Sequence, residues 1–336
     1  MNNRIYLSSG YLNIQGILSY KCTFNFIVGG RATGKTYGAL DYVIQTGTKF
    51  MLMRRTQAQA DLINKPEFSP FKPVCEDRHI EITTSSVSKY NARFEMDDET
   101  IGYTCALSTI ANMRGFDASD VKLLIYDEFI PERHERPIKS EGSAFLNAYE
   151  TMNRNRELKG KRPMTVLCLA NAFDIANPIF LELGLVGIAE KMKQNGRELY
   201  IDRDKSILIL LPDSTKIKKQ KDDTALYKLT EGSEFSRMAL NNDFIYNPTD
   251  NIKSMAIREF NPVVTVGEIT IYKHKSKKLY YVSEHRSGNP PKFTTDEIAM
   301  KRYLKNYGMK FYRMYMQNCF CFENMLTKSL FELYTI

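Results

Sequence analysis

The chain has 336 residues, 43% of them apolar, with 47 lysines and arginines against 39 aspartates and glutamates, a formal net charge of +8. That length suffices for one large or two modest packed domains. No apolar run reaches the roughly 18 residues of a membrane span, and the positive balance favours a polyanionic partner. The start, "MNNRIYLSSGYLNIQGILSYK", lacks a basic region followed by an apolar core and a cleavage site, so a cytoplasmic protein is expected, with no membrane partner. Six scattered cysteines without a Cys-x-x-Cys pair, and four histidines, give no legible zinc site. Cys319 and Cys321, flanking Phe320, read as two buried thiols on one face.

The first informative stretch is "FNFIVGGRATGKTYGAL", residues 24 to 40. Phe24 to Val28 is a short apolar strand, and Tyr37, Leu40, Val43 and Ile44 recur at helical spacing. Between them Gly29, Gly30, Arg31, Ala32, Thr33, Gly34, Lys35 and Thr36 fit the phosphate-binding loop pattern. Glycines let successive N–H groups face an anion at the positive end of the following helix. Lys35 can then reach the β- and γ-phosphates of ATP, and Thr36 can offer its hydroxyl to Mg²⁺.

Next, "KFMLMRRT" is an apolar strand ending in two arginines, and residues 90 to 108 read as a hairpin turning at Asp97 to Glu99. "VKLLIYDEF" and "MTVLCLAN" are the continuous apolar runs of fully buried central strands. The first ends in adjacent carboxylates, which assigns Asp127 to the metal and Glu128 to the base that orients or activates the attacking water. The second ends in Asn171, read as a γ-phosphate sensor or coupling residue, whereas Asn177 before Pro178 reads as a helix cap. Between these strands, residues 143 to 158 form a helix with Phe145, Leu146, Tyr149 and Met152 on one face. Its end carries Arg154 and Arg156. Residues two apart on a helix point in different directions, so only one of the two is expected to reach into a neighbouring subunit's site.

Strands alternating with helices define residues 1 to 204 as an α/β domain with a mostly parallel sheet. Residues 205 to 244, from "SILILLP" through the basic run Lys216, Lys218, Lys219 and Lys221, read as a linking subdomain. From 245 to 336 a meander of strands and a helix capped at Thr294 or Thr295 through Glu297 make a second, smaller α/β or α+β domain. It contains the lysine group Lys273, Lys275, Lys277 and Lys278. The two basic segments are the candidate duplex DNA contacts.

Taken in order, "NFIVGGRATGKTY", "MLMRRT", "IYDEFI", "FLNAYETMNRNRE" and "LCLANAFDIANPIFLE" resemble the DNA-packaging ATPases of small tailed phages of the φ29-like type. The likeness is specific in residues 1 to 185 and poor beyond 245. It implies an additional-strand, conserved-glutamate P-loop ATPase fold, a small linker domain and a ribonuclease-H-like C-terminal domain. Arg154 then matches the family's trans-acting arginine finger, and Asn171 its coupling position. The resemblance also implies a homopentameric ring on the portal of an empty capsid in the infected host's cytoplasm, driving double-stranded DNA inward, with a packaging RNA as a further candidate partner. One departure is that "RRTQAQA" has no lysine until Lys65, where φ29-like members have one directly after the arginine pair. A nuclease needs several converging carboxylates, and residues 262 to 285 offer only Glu268 and Glu284, so the C-terminal domain is expected to grip DNA without cutting it. The competing readings are a helicase-like translocase on single strands and a nucleotide-gated assembly protein.

Overall fold

The computed structural model describes residues 4–113, 115–132, 135, 138–172, 174–213, 217, 224–230, 233 and 251–336. Lys216, Lys218, Lys219 and Lys221 lie outside the described residues. The chain forms two units, Met1–Leu183 with Lys191–Ile245, and Gly184–Glu190 with Tyr246–Ile336.

The first unit is built on strands β1 (Phe24–Gly29), β2 (Phe50–Arg54), β3 (Thr83–Ser88), β4 (Asn91–Met96), β5 (Glu99–Ala106), β6 (Leu123–Asp127), β7 (Thr165–Asn171), β8 (Leu199–Asp202) and β9 (Ile207–Leu210). They form one sheet in the order β3-β4-β5-β2-β6-β7-β1-β9-β8. From β5 to β9 every neighbouring pair is parallel; the outer pairs are antiparallel. The central strands are apolar without alternation because both faces are covered, and Phe26, Leu52, Ile125 and Leu167 are all fully buried. The first helices are α1 (Ile14–Leu18), α2 (Lys35–Thr46), α3 (Gln57–Ile63), α4 (Lys72–Arg78), α5 (Glu141–Asn153) and α6 (Pro178–Glu182). Phe26, Phe129 and Phe180 pack together, and so do Phe50, Phe71 and Phe94.

Several expectations are met closely. The β4–β5 hairpin turns at Asp97 and Asp98, both with positive φ (51° and 61°), the geometry that matches the twist of the paired strands. Asn177 caps α6 by accepting from the Phe180 N–H. Others need correction. The run "ILIL", read with the linker, is β9, paired between β1 and β8, so the sheet of the first unit continues past 204. Helix α5 stops at Asn153, because Arg154 and Asn155 both adopt left-handed backbone (φ 48° and 55°).

In the second unit, β10 (Phe260–Val266), β11 (Ile269–His274) and β12 (Tyr280–Ser283) form an antiparallel meander. The strands β13 (Lys292–Phe293) and β14 (Phe320–Phe322) flank it in parallel, completing a five-stranded sheet in the order β13-β10-β11-β12-β14. The helix Glu297–Tyr303 is capped by Asp296, not by a threonine. The Asp296 carboxylate accepts from Ile298 and Ala299 N–H groups, supported by the Thr294 hydroxyl, a stronger acceptor set than a hydroxyl alone supplies. A π-helical turn, Leu304–Gly308, carries it into a further helix, Met309–Met316. Cys321 lies buried in β14, but Cys319 precedes the strand and is partly exposed, so the two thiols do not share a buried face.

Candidate nucleotide hydrolysis site

Three polar side chains and the phosphate-binding loop stand at the carboxyl ends of four adjacent strands, β2, β6, β7 and β1. The register aligns Gly29 with Asn171 and Asp127 with Leu169, so Arg54, Asp127, Asn171 and the start of the phosphate-binding loop share one edge, the usual ligand crevice of an open parallel sheet.

The loop bends from β1 into α2 through Ala32 (φ 57°) and Gly34 (φ 83°). At Gly34 a side chain would be strained and would press on the Tyr11 ring, 3.2 Å from a Cβ placed there. The buried Lys35 ammonium donates to the carbonyls of Gly29 (3.1 Å) and Gly30 (2.6 Å) and to Asn171 Oδ1 (3.2 Å). Thus the residue read as a sensor sits directly on the loop lysine. The Thr36 hydroxyl bonds to both Asp127 oxygens at 3.0 and 3.1 Å. A hydroxyl and a carboxylate brought together are the hard oxygen donors that Mg²⁺ prefers.

Glu128 follows β6 with φ 58°, an uncommon backbone for glutamate and the kind of strain held at working sites. Its side chain is largely open, but its carboxyl end sits among Arg54, Asp127, Glu132 and Glu135. Partial loss of water there raises its pKa above the ordinary carboxylate value; Arg54 opposes the rise, and the neighbouring acids add to it.

Arg54 has a role that sequence reasoning did not assign. Its guanidinium bridges Asp127 (3.1 Å) and Glu128 (2.6 Å), spanning the two carboxylates as a planar fork can. Arg55 turns the other way into the interior. With its side chain 0% exposed, it makes a two-pronged contact with Glu141 (2.7 and 2.9 Å) and reaches Glu135 at 3.0 Å. Arg31, inside the loop, pairs with Glu132 at 3.0 Å. The usable signal was the arginine pair at a strand end, since buried guanidinium groups require carboxylates and "PERHERPIKSE" supplies them.

Arg154 is not at this edge. It donates to the Phe116 carbonyl and pairs with Asp117 at 3.5 Å, and Arg156 donates to the Ala118 carbonyl at 2.8 Å. Both therefore hold the loop that leads into β6, at the amino edge of the sheet. The expectation that they diverge fails because both lie beyond the end of α5, where helical spacing no longer applies. The amino edge is about a strand length, roughly 20 Å, from the carboxyl edge.

Lys273, Lys275, Lys277 and Lys278 are exposed on the β11–β12 hairpin. Its turn folds over the His274 ring, whose Nδ1 accepts from the Ser276 and Lys277 N–H groups at 3.1 Å each. Lys275 and Lys278 donate to neutral oxygens, the Arg258 carbonyl and the Gln317 amide, both at 2.7 Å.

The sheet order, the loop on α2 and the acidic strand end define a P-loop nucleotide hydrolase. Over residues 7–332 the chain belongs to the Podovirus DNA encapsidation protein (Gp16) family. It is 27% identical over 342 residues to the DNA packaging protein of Bacillus phage phi29, covering 96% of this chain and 97% of that one. It is also 27% identical over 331 residues to the DNA packaging protein of Bacillus phage B103, covering 94% and 97% of the two chains. Among solved structures it resembles a chain of the bacteriophage Phi-29 viral genome packaging motor assembly, with a TM-score of 0.66 at 23% identity, over 97% of this chain and 98% of that one.

Proposed function

We propose that this chain hydrolyses ATP to drive double-stranded DNA into a preformed capsid through its portal. It would act as one subunit of a homo-oligomeric ring, a pentamer by family resemblance, on the procapsid in the infected cell's cytoplasm, with a packaging RNA as a candidate additional partner. The observation that carries this reading is the meeting of Lys35, Thr36, Asp127 and Glu128 at one sheet edge in a chain of the encapsidation family.

The loop N–H groups and the α2 N-terminus bind the β-phosphate, and Lys35 adds a positive charge beside it. Thr36 and Asp127 would hold Mg²⁺, which when bound neutralises charge on the β- and γ-phosphate oxygens. Glu128 orients the attacking water and accepts its proton. Arg54 determines where Glu128 points, and Asn171, bonded to Lys35, couples the end of β7 to the phosphate site. Arg154 serves a neighbouring subunit's nucleotide as an arginine finger; its place at the amino edge, far from its own loop, supports action in trans. In the second unit the hairpin lysines grip DNA phosphates without base reading. No cleavage chemistry is assigned there, because among the described residues no three carboxylate, histidine or cysteine side chains are grouped as a metal site needs.

The test is ATP turnover of the full chain with duplex and single-stranded DNA in parallel. Stronger stimulation by duplex is expected. Equal or stronger stimulation by single strands would replace this reading with a helicase-like translocase, and absence of turnover with either would favour a nucleotide-gated assembly role.

A further inference from the structure

Residues 5 to 13 form a closed hairpin that touches both the phosphate-binding loop and the exit of β9. Leu7 N–H donates to the Tyr11 carbonyl and Asn13 N–H to the Ile5 carbonyl, both at 2.8 Å, with Tyr6 opposite Leu12 in an antiparallel bridge. Behind it, Gly16 of α1 lies so near the Arg4 carbonyl that a Cβ would stand 2.0 Å from its oxygen, an approach only glycine permits. Ile5, Tyr6, Leu12 and Ile14 are all buried in the core of the first unit. The hairpin is therefore held as one piece.

One side of it is bonded to the loop. Leu12 N–H donates to the Thr33 carbonyl at 3.1 Å, while the Thr33 hydroxyl donates to the Gly30 carbonyl at 3.2 Å and stands 3.4 Å from the Lys35 ammonium, which reaches that same carbonyl. A lysine that turns to phosphate oxygens must change these bonds, and Thr33 with them. The other side is bonded to the exit of β9. That strand runs parallel to β1 with Leu210 opposite Ile27, so it leaves the sheet at the carboxyl edge, beside the loop. Three residues past Leu210, the Asp213 N–H donates to Tyr6 Oη at 2.6 Å and to Glu198 Oε1 at 3.1 Å, and the Tyr6 hydroxyl donates to the same Glu198 oxygen at 3.2 Å. Burial, then the Glu198 carboxylate, raises the Tyr6 pKa, which keeps the proton that lets one hydroxyl serve both partners. Beyond Asp213 the sequence leads to the second unit, whose main segment begins at Tyr246.

We propose that the hairpin couples nucleotide binding to the β9 exit, with the Tyr6 hydroxyl as the clasp that carries a change at Thr33 to Asp213. Tyr6 is thus a positioning residue that acts through its neighbours, along a contiguous set of hydrogen bonds of the kind that carries coupling when a ligand at one end shifts the other. The proposal rests on the reading that the loop binds ATP, and adds to it a route toward the DNA-gripping unit.

Hydrogen exchange by mass spectrometry on the full chain reads both ends at once. In the natural chain a nonhydrolysable ATP analogue should slow exchange in the loop peptide and also in the peptide spanning 211 to 213. Tyr6→Phe keeps the buried ring and loses only the hydroxyl. Without nucleotide its amides at 211 to 213 should exchange about 2- to 12-fold faster, the worth of one hydrogen bond. With the analogue, calorimetric affinity and loop protection should match the natural chain, while the response at 211 to 213 disappears. DNA-free ATP turnover should be retained and its stimulation by duplex DNA lost. Glu198→Gln keeps an acceptor oxygen for the hydroxyl and should leave all of these near the natural values. An unchanged response at 211 to 213 or undiminished duplex stimulation in Tyr6→Phe, or no response there in a natural chain whose loop is protected, would overturn the proposal. So would a Tyr6→Phe chain whose analogue affinity falls as far as its stimulation, the mark of a merely structural role. Absent binding of the analogue to the natural chain would instead remove the loop assignment, and the proposal with it.

Discussion

Replacing Arg55 with methionine removes the cation from a group of acids in the first unit's interior. The side chains of Arg55 and Glu141 are 0% and 1% exposed, so the substitution leaves a carboxylate that has lost water and now loses its partner. Breaking a buried pair from one side costs about 3–5 kcal/mol. The two contacts at 2.7 and 2.9 Å and the third to Glu135 at 3.0 Å place this pair toward the upper end. At 1.4 kcal/mol per tenfold, amides in β6 and β7 whose exchange requires opening of this region should exchange about two to nearly four orders of magnitude faster. Hydrogen exchange by mass spectrometry on the full chain reads this strand by strand. Glu141→Leu alone should do comparable damage, but the double substitution should cost much less than the sum, since two apolar groups can replace a buried pair at little loss. Additive effects in that cycle would show that Arg55 and Glu141 contribute as separate packing groups, and the electrostatic account would be wrong.

The site makes further predictions. Lys35→Ala should abolish nucleotide binding, whereas Glu128→Gln should bind ATP in equilibrium titration yet turn it over orders of magnitude more slowly; normal turnover would remove Glu128 from the chemistry. Arg54→Ala should lower kcat with little change in KM, and Arg54→Lys should not restore it, because an ammonium cannot span both carboxylates. Arg154→Ala subunits should be inactive alone but regain some turnover when mixed with Lys35→Ala subunits, and mixed-ring ATPase assays without complementation would argue against action in trans. Neutralising Lys273, Lys275, Lys277 and Lys278 should weaken duplex binding about equally across sequences. It should also make log affinity less steep against log salt by about one unit per lost phosphate contact, while DNA-free hydrolysis stays nearly intact.

The phosphate-binding loop and the acidic strand end were legible because each is local. Glycine spacing, an apolar run before it and a helical period after it all fall within residues 24 to 44, and "LLIYDEF" carries both its burial and its chemistry in seven letters. Pairing between distant segments was not legible. "ILIL" is a strand by composition, but nothing in those letters says that its neighbours are β1 and β8. Arg54 and Arg55 meet partners 74 and 86 residues away, so their opposite fates depend on tertiary structure. The end of α5 was overrun for a local reason: "NRNREL" contains neither glycine nor proline, and the left-handed residues that terminate the helix are an arginine and an asparagine, of which only asparagine favours that conformation.

Helix α5 connects the two edges of the sheet. Its first residue, Glu141, is held by Arg55, next in the chain to the Arg54 that bridges Asp127 and Glu128, and its 13 residues, about 20 Å along the axis, end at Asn153, directly before Arg154. The buried charge group and the arginine assigned to the neighbouring site therefore sit at the two ends of one rigid rod. A shift of α5 at the Glu141 end must be carried to Arg154 unless the helix bends, and α5 contains neither proline nor an adjacent Gly-Ser kink beyond Gly142 and Ser143 in its first turn. A construction of this kind gives the buried Arg55–Glu141 pair a use beyond stability. An apolar replacement of both residues could restore the fold without fixing the axial position of the rod. The double substitution of Arg55 and Glu141 should then recover slow hydrogen exchange yet still contribute Arg154 poorly to Lys35-intact neighbours in mixed rings. Full recovery of both would reduce the pair to an element of folding alone.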